Sequence, residues 1–173
     1  YPQRIPARPN VIKDTTIIIK ALEYQKIPVY GDGLQVRDWL FVKDHCNALM
    51  LVLREGKIGT NYNIGGSSAL TNIEIAQRIC RLLDGVRPLP ENKKYEQLIE
   101  HVTDRPGHDR RYAIDSSRIE AELGWKPATQ LASGMELTVH WYLEHSKWWE
   151  PLRQRKYSGE RLGNIPMIEK TPN

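Results

Sequence analysis

Residues 28–55 read PVYGDGLQVRDWLFVKDHCNALMLVLRE, and they carry the clearest architectural signal in the sequence. Residues 28–30 form a short extended piece that ends in the turn Gly31-Asp32-Gly33, and residues 36–41 are predicted to form a second strand. A helix follows, because apolar residues recur at the spacing of one buried helical face and Gly56 ends the pattern. That predicted buried face comprises Val42, Cys46, Leu49, Met50 and Leu53.

The rest of the sequence continues this alternation of helices and short strands. We predict further helices at residues 11–24, from the capping box Thr71–Glu74 to residue 84, in the segment that ends at Gly124, and from residue 131 onward. Strands are predicted at residues 61–64 and 99–102. The helix after Thr71 is expected to bury Ala76, Ile79, Cys80 and Leu83, and the last helix Leu131, Met135, Val139 and Tyr142. This order predicts an α/β chain whose strands are too few and too short for a complete doubly wound sheet.

Bulk composition excludes several classes of protein. The chain has 173 residues, 40% of them hydrophobic and 27% charged, which is ordinary for a globular protein with one sizeable core. A formal net charge of +4 without a Lys/Arg-rich block argues against nucleic acid as a partner. Without a membrane-length apolar run or a signal peptide, we expect no membrane partner and a cytoplasmic location. Cys46 and Cys80 are interpreted as small buried hydrophobes, and no metal-ligand spacing is present.

The densest charge lies in residues 104–112, DRPGHDRRY, where six of nine residues are Asp, Arg or His. Pro106 and Gly107 prevent a helix or strand in its middle. Arg offers a planar fork of donors for phosphate, and Asp an acceptor for sugar hydroxyls. The run therefore suits an anionic, hydroxyl-rich ligand, or else a solvated loop whose own charges pair with each other.

Glycine-rich segments in this sequence do not form a dinucleotide fingerprint. Gly31-Asp32-Gly33 supplies a Gly-x-Gly that precedes a strand, so no helix N-terminus follows to hold a pyrophosphate. Gly65-Gly66 precedes a helix, but the third glycine is absent, and we interpret this pair as a turn.

Single residues elsewhere could complete an anion site with the charged run. Tyr30 and Arg37 flank the Gly31–Gly33 turn, although, taken alone, these two residues fit a hairpin with a surface arginine better. Asn72 begins a helix, where amide groups and the helix dipole attract anions, although Asn also simply suits a helix start. Taken together, the residues suggest Arg37 and Arg105 for phosphates, Tyr30 and Asn72 for orientation, and Asp104 and His108 for hydroxyls.

Several runs of residues, in the order in which they occur along the chain, resemble the sequences of one family. They are Val29-Tyr30-Gly31-Asp32-Gly33-Leu34-Gln35-Val36-Arg37-Asp38-Trp39-Leu40, Val42-Lys43-Asp44-His45, Tyr62-Asn63-Ile64-Gly65-Gly66, DRPGHDRRYAID at 104–115 and Leu123-Gly124-Trp125-Lys126-Pro127. The set resembles the C-terminal half of the dTDP-glucose 4,6-dehydratases, which are extended short-chain dehydrogenases/reductases. The resemblance implies an α/β substrate-binding portion without the complete Rossmann sheet.

This resemblance also implies roles for particular residues. Pro28, Val29 and Tyr30 would contact the nucleotide, Arg37 would clamp the diphosphate, and Asn72 would contact the substrate. A loop would close over the nucleotide and its phosphates, formed by Asp104, Arg105, Pro106, Gly107 and His108. Residues 1–25 depart from the family pattern, so we expect them to form a divergent N-terminal segment and helix. We expect a sugar-nucleotide-binding half at 26–163 and a flexible tail at 164–173.

The chemistry implied by the family uses NAD bound by the N-terminal half. C4 of the glucose is oxidised, water is eliminated across C5–C6, and the hydride returns to C6. The family's Tyr-x-x-x-Lys pair, its Thr, its Asp-Glu pair and its NAD loop do not occur in this sequence, which also begins without Met. We therefore expect no catalytic, cofactor or metal residues here and no activity of this segment alone. For the whole enzyme, the resemblance implies a homodimeric NAD-dependent lyase of deoxysugar and rhamnose biosynthesis.

Two alternatives stay open from the sequence. The chain could be a non-catalytic nucleotide-sugar-binding or assembly module, or the enzyme could act on a UDP- or GDP-sugar. A further expectation is that apolar faces such as Cys46, Met50 and Leu53, which would pack on the N-terminal half, are exposed in the chain alone.

Overall fold

A computed structural model describes residues 11–104 and 106–156. Six α-helices and four short strands make up this part of the chain: α1 (Val11–Leu22), β1 (Ile27–Tyr30), β2 (Val36–Asp38), α2 (Val42–Glu55), β3 (Ala69–Thr71), α3 (Asn72–Val86), β4 (Ile99–Val102), α4 (Ser117–Leu123), α5 (Leu131–Glu144) and α6 (Ser146–Lys156). The predicted α/β class is confirmed. The predicted tail at 164–173 and the first ten residues of the divergent segment lie outside the described residues.

The strands form two separate two-stranded sheets. β1 and β4 pair in parallel, with Ile27 opposite Ile99 and Tyr30 opposite Val102. β2 and β3 pair antiparallel, with Arg37 opposite Leu70. The prediction of an incomplete Rossmann sheet is therefore confirmed.

The strand predicted at residues 61–64 is wrong. These residues follow an irregular path, and the strand that pairs with β2 forms later, at Ala69–Thr71. Tyr62 and Ile64 are instead partly buried in a small apolar cluster around Ala48, Ile119 and Trp125. Alternation of apolar residues thus indicated burial at this segment, but no strand in the described part of the chain pairs with it.

The main core lies between α1, β1, α3 and α5, whose apolar side chains form one cluster. The predicted face of α3 is buried, since Ala76, Ile79, Cys80 and Leu83 are all at or below 1% exposure. Met135 and Val139 of α5 are likewise buried in this cluster, as predicted. Burial raises the pKa of the Cys80 thiol to about 12, so this cysteine is a buried hydrophobe at neutral pH.

Local capping explains where α3 begins. The Thr71 hydroxyl accepts a hydrogen bond from the Glu74 amide at 3.2 Å, and the Glu74 carboxylate accepts one from the Thr71 amide at 2.8 Å. The Thr71 hydroxyl also donates to the Glu74 carboxylate at 2.6 Å, and this hydrogen bond, followed by the one from the Thr71 amide, holds the pKa of Glu74 below its usual range. The predicted capping box is confirmed, and it fixes Asn72 as the first residue of the helix.

Helix α2 forms as predicted but buries a different face. Ala48 packs against Ile119 and Trp125, and the buried Asp44 carboxylate accepts a hydrogen bond from the Thr129 amide at 2.9 Å. The face predicted to be buried is exposed, with Leu53 at 79% and Cys46 also exposed. The interpretation of Cys46 as buried is therefore wrong for the chain alone. The other expectation, that Cys46, Met50 and Leu53 are exposed, is confirmed.

Exposed apolar residues continue from α2 into a groove of about 560 Å³. Its walls include Phe41 and Val42 at the start of α2 and Leu137 and Trp141 of α5. Among the described helices, none has the length and apolar character to cross a membrane.

Candidate functional site

The candidate site begins where the parallel strands β1 and β4 end side by side. The Gly31 amide donates a hydrogen bond to the Val102 carbonyl at 2.8 Å, so the turn after β1 lies beside the segment after β4. Gly31 has a φ of +58°, and a Cβ built on it would lie 2.9 Å from Oδ2 of Asp104. Glycine is therefore required here for both the backbone conformation and the close approach of Asp104. The carboxyl ends of parallel strands are a common place for ligand sites in α/β proteins.

Residues Pro28, Val29 and Tyr30 alternate along β1. Val29 is 4% exposed in the main core, whereas Pro28 and Tyr30 are half-buried on the other face of the strand. A nucleotide contact by Val29 would therefore involve its main chain, and one by Pro28 or Tyr30 could involve the side chain.

The segment after Asp104 runs alongside β2. The Val36 amide donates to the Arg110 carbonyl at 2.9 Å, and the Tyr112 amide donates to the Val36 carbonyl at 3.1 Å. This pairing places the charged run against Arg37 of β2. The alternative of a β1–β2 hairpin with a surface arginine is wrong, because β1 and β2 belong to different sheets and Arg37 is fully buried.

Arg37 of β2 contacts His108, Asp109 and Tyr112 of the charged run. Its Nη2 lies 3.0 Å from Nε2 of His108 and donates to the Asp109 carbonyl at 2.8 Å. Its Nη1 donates to the carbonyl of Val36 at 2.7 Å, and its Cζ lies 4.2 Å from the centre of the Tyr112 ring. In this arrangement the guanidinium has no exposed surface, so direct contact with a ligand requires part of the 104–112 segment to move.

His108 lies between Arg37 and Asp104. Its Nδ1 is 2.6 Å from Oδ1 of Asp104, and its side chain is 2% exposed. An arginine can only donate hydrogen bonds, so the contact with Arg37 makes Nε2 of His108 the acceptor. The proton of a neutral imidazole is then on Nδ1 and is donated to the Asp104 carboxylate.

Asn72 joins the same group of residues through Gln35. The Gln35 Nε2 donates to Oδ2 of Asp104 at 2.9 Å, and the Asn72 Nδ2 donates to Oε1 of Gln35 at 3.4 Å. Oδ1 of Asn72 is enclosed and has no hydrogen-bond partner among the described residues. Gln35 could not be predicted from the sequence, because an uncharged residue between a turn and a strand gives no distinctive signal.

The amide groups at the start of α3 are already occupied. The Asn72 amide donates to the Gln35 carbonyl at 3.1 Å, the Ile73 amide to the Gly33 carbonyl at 3.0 Å, and the Glu74 amide to Thr71. The anion site predicted at these amide groups is therefore not available, which leaves the Asn72 side chain as the candidate contact.

The outer part of the charged run forms pairs at the surface. Arg110 donates to the Asp32 carboxylate at 2.9 Å, and both side chains are largely exposed. The Leu34 amide, followed by Arg110, holds the pKa of Asp32 below its usual range. Within the run, Asp104 pairs with His108 in a half-buried inner cluster, while Arg110 forms a solvated pair with Asp32, which lies outside the run. That the run binds an anionic ligand stays a prediction.

Pro106 and Gly107 are exposed at a turn, where Gly107 has a φ of +67°. This conformation favours glycine and places the turn at the outer edge of the cluster. Arg105, predicted to bind phosphates, lies outside the described residues.

Residues 65–68 form a turn around Asp38 and Trp39. The Asp38 carboxylate accepts hydrogen bonds from the Gly66 amide at 2.7 Å and the Ser68 amide at 2.8 Å. A Cβ on Gly66 would lie 1.8 Å from the Trp39 carbonyl oxygen, so no larger residue fits. This geometry supports the interpretation of Gly65-Gly66 as a turn. It also explains the Arg37-Asp38-Trp39 run: Arg37 contacts the 104–112 segment, Asp38 accepts hydrogen bonds from this turn, and Trp39 is buried in the main core.

Comparison with known proteins identifies the family. Residues 4–138 match the family model described as GDP-mannose 4,6 dehydratase. A dTDP-glucose 4,6-dehydratase of Xanthomonas campestris pv. campestris (strain B100) is 53% identical over 147 residues, which is 85% of this chain and 42% of that protein. The chain thus spans about two fifths of the length of this curated relative.

Solved structures show the same fold. The dTDP-glucose 4,6-dehydratase from Bacillus anthracis in complex with NAD has a TM-score of 0.69 and 41% identity, covering 85% of this chain and 44% of that one. DesIV, a dTDP-glucose 4,6-dehydratase from Streptomyces venezuelae with NAD and TYD bound, has a TM-score of 0.66 and 40% identity, covering 79% of this chain and 39% of that one. The chain belongs to the GDP-mannose 4,6 dehydratase family, and its fold is that of the C-terminal portion of an extended short-chain dehydrogenase/reductase.

Proposed function

We propose that this chain is the substrate-binding part of a dTDP-glucose 4,6-dehydratase, which converts dTDP-glucose to dTDP-4-keto-6-deoxyglucose and water. One observation carries the proposal. Predicted site residues from three separate segments lie in one hydrogen-bonded cluster at the ends of β1 and β4: Arg37, Asn72, and the pair Asp104 and His108. The 53% identity to a dTDP-glucose 4,6-dehydratase supports the choice of substrate.

In the proposed complex, the residues of this chain bind and orient the sugar nucleotide. Pro28, Val29 and Tyr30 contact the nucleotide at the end of β1, and Asn72 contacts the substrate with its side chain. Arg37 and Arg105 bind the diphosphate, and the segment from Asp104 to His108 closes over it, with Pro106 and Gly107 at its outer turn. A closing segment excludes water from the bound diphosphate, which strengthens each hydrogen bond made to it.

Chemistry on the sugar requires groups from the rest of the enzyme. We propose that NAD is bound outside this chain, where it would accept a hydride from C4 and return it to C6. The catalytic Tyr, Lys, Thr, Asp and Glu would likewise belong to the rest of the enzyme. We further propose a cytoplasmic homodimer acting in deoxysugar biosynthesis, including that of rhamnose.

Turnover, measured together with dTDP binding, separates this proposal from a non-catalytic module. In the full-length enzyme, incubation with dTDP-glucose and NAD should yield the 4-keto-6-deoxy sugar, whereas the isolated chain should yield none. Product formed by the isolated chain would refute the assignment of catalysis to other residues. Binding of dTDP by a full-length protein that shows no turnover would favour the non-catalytic module.

The choice of nucleotide needs its own comparison. Supplying the full-length enzyme with dTDP-, UDP- and GDP-glucose separately should give product from the dTDP-sugar at least roughly tenfold faster, since a base site discriminates through several contacts. Equal or faster turnover of the UDP- or GDP-sugar would overturn the dTDP assignment and leave the dehydratase chemistry intact.

A further inference from the structure

Gln35 is a buried polar residue to which neither the sequence patterns nor the proposed binding contacts assign a role. Its side chain is 2% exposed, in the segment that connects the Gly31–Gly33 turn to β2. A buried amide costs free energy unless its donor and acceptor groups are hydrogen-bonded. Both ends of the Gln35 amide meet residues of the candidate site, Asp104 at 2.9 Å and Asn72 at 3.4 Å.

The orientation of this amide follows from the charge of Asp104. An ionised carboxylate only accepts hydrogen bonds, so the NH₂ group of Gln35 must face Asp104 and its oxygen must face Asn72. The opposite orientation would place the amide oxygen against the carboxylate and two NH₂ groups against each other. The Asn72 amide is fixed in turn, with Nδ2 directed to Gln35 and Oδ1 directed elsewhere.

Gln35 also contributes to the environment of the Asp104 carboxylate. One carboxylate oxygen accepts from Gln35, and the other accepts from Nδ1 of His108, whose Nε2 meets Arg37. The hydrogen bonds therefore run from Asn72 through Gln35, Asp104 and His108 to Arg37. The main chain reinforces this connection, since the Gln35 carbonyl accepts from the Asn72 amide at 3.1 Å.

We propose that Gln35 is a positioning residue of the sugar-nucleotide site, which sets the separation and orientation of Asn72 and Asp104 for substrate binding. The inference rests on the proposed function, because it assumes that these two residues serve a dTDP-sugar. Gln35 itself does not touch the reacting atoms. Its loss should therefore weaken substrate binding without slowing the chemical step.

The test uses the full-length enzyme with the variants Gln35→Met and Gln35→Glu. Methionine keeps the volume but removes both hydrogen bonds, so we expect dTDP affinity to fall and KM to rise by roughly tenfold, with kcat within about twofold of wild type. Thermal unfolding and NAD content should stay near wild type. Gln130→Met is a matched control, because Gln130 is exposed and its side chain makes no capping hydrogen bond.

Glutamate gives a readout that a merely structural role would not change. At pH 8 its carboxylate would repel Asp104, and dTDP affinity should fall at least as far as in Gln35→Met. At pH 6 a proton shared between the two carboxyl groups can replace the amide donor, so affinity relative to wild type should recover. Gln35→Met should show no such recovery.

Three outcomes would overturn the inference. The first is that both variants keep wild-type dTDP affinity and KM. The second is that both lose the same dTDP affinity at pH 6 and at pH 8. The third is that affinity falls only where bound NAD and thermal stability are lost as well. A wild-type enzyme that fails to bind dTDP would instead overturn the proposed function itself, and this inference with it.

Discussion

Substitution of Arg37 by alanine in the full-length enzyme is expected to weaken dTDP binding by roughly 100-fold or more, because truncating one partner of a buried, charged hydrogen-bond network costs several kcal/mol. The guanidinium contacts His108, Asp109 and Tyr112, so its removal takes away these side-chain contacts between β2 and the charged segment. A diphosphate bound there would also lose a paired charge. Titration calorimetry with dTDP measures the effect.

Two further variants make this result specific. Arg81 of α3 forms an exposed pair with Glu96, so Arg81→Ala removes a guanidinium far from the charged segment in sequence and should leave dTDP affinity unchanged. Arg37→Lys keeps the charge but cannot reach His108 and Asp109 with one planar group, so it should recover little of the affinity. Unchanged dTDP affinity in folded Arg37→Ala would refute the binding role of Arg37.

The isolated chain is expected to self-associate, and charges placed on α2 should make it monomeric. Leu49, Met50 and Leu53 are each at least 47% exposed on one side of this helix, and the apolar groove beside α5 lies near its start. Large exposed apolar patches favour association in water. Light scattering at micromolar concentration should show oligomers of the wild-type chain, and monomers when all three residues are replaced by lysine.

Ile58→Lys is the matched control for this prediction. Ile58 is fully exposed in the loop after α2, outside the apolar face, so its replacement adds a lysine next to this helix without changing that face. It should leave the oligomers intact. A monodisperse wild-type monomer would contradict the prediction, and oligomers that persist after the triple substitution would place the contact elsewhere.

Local signals predicted the helices well. The capping box and the apolar period of α3 both depend on residues within a few positions of each other, so the start and the buried face of this helix could be predicted together. For α2 the period predicted a helix but the wrong buried face for this chain. Periodicity identifies an apolar face without identifying its partner, and here Ala48 and Asp44 face α4 and the segment after it.

The site was only partly predictable, for a physical reason. Charged residues such as Asp104 and Arg37 are conspicuous in a sequence, and their order supported the family resemblance. Gln35 and the occupied amide groups of α3 depend on hydrogen bonds between segments that are distant along the chain. Such contacts emerge only once β1 and β4 bring the segments together.

The different surroundings of the two cysteines have a practical consequence. Cys80 is buried and its pKa is raised to about 12, so it holds little reactive thiolate at neutral pH. Cys46 is exposed on the apolar side of α2. A maleimide dye would therefore attach selectively to Cys46, without mutagenesis, and its emission would report when another polypeptide covers that side of the helix.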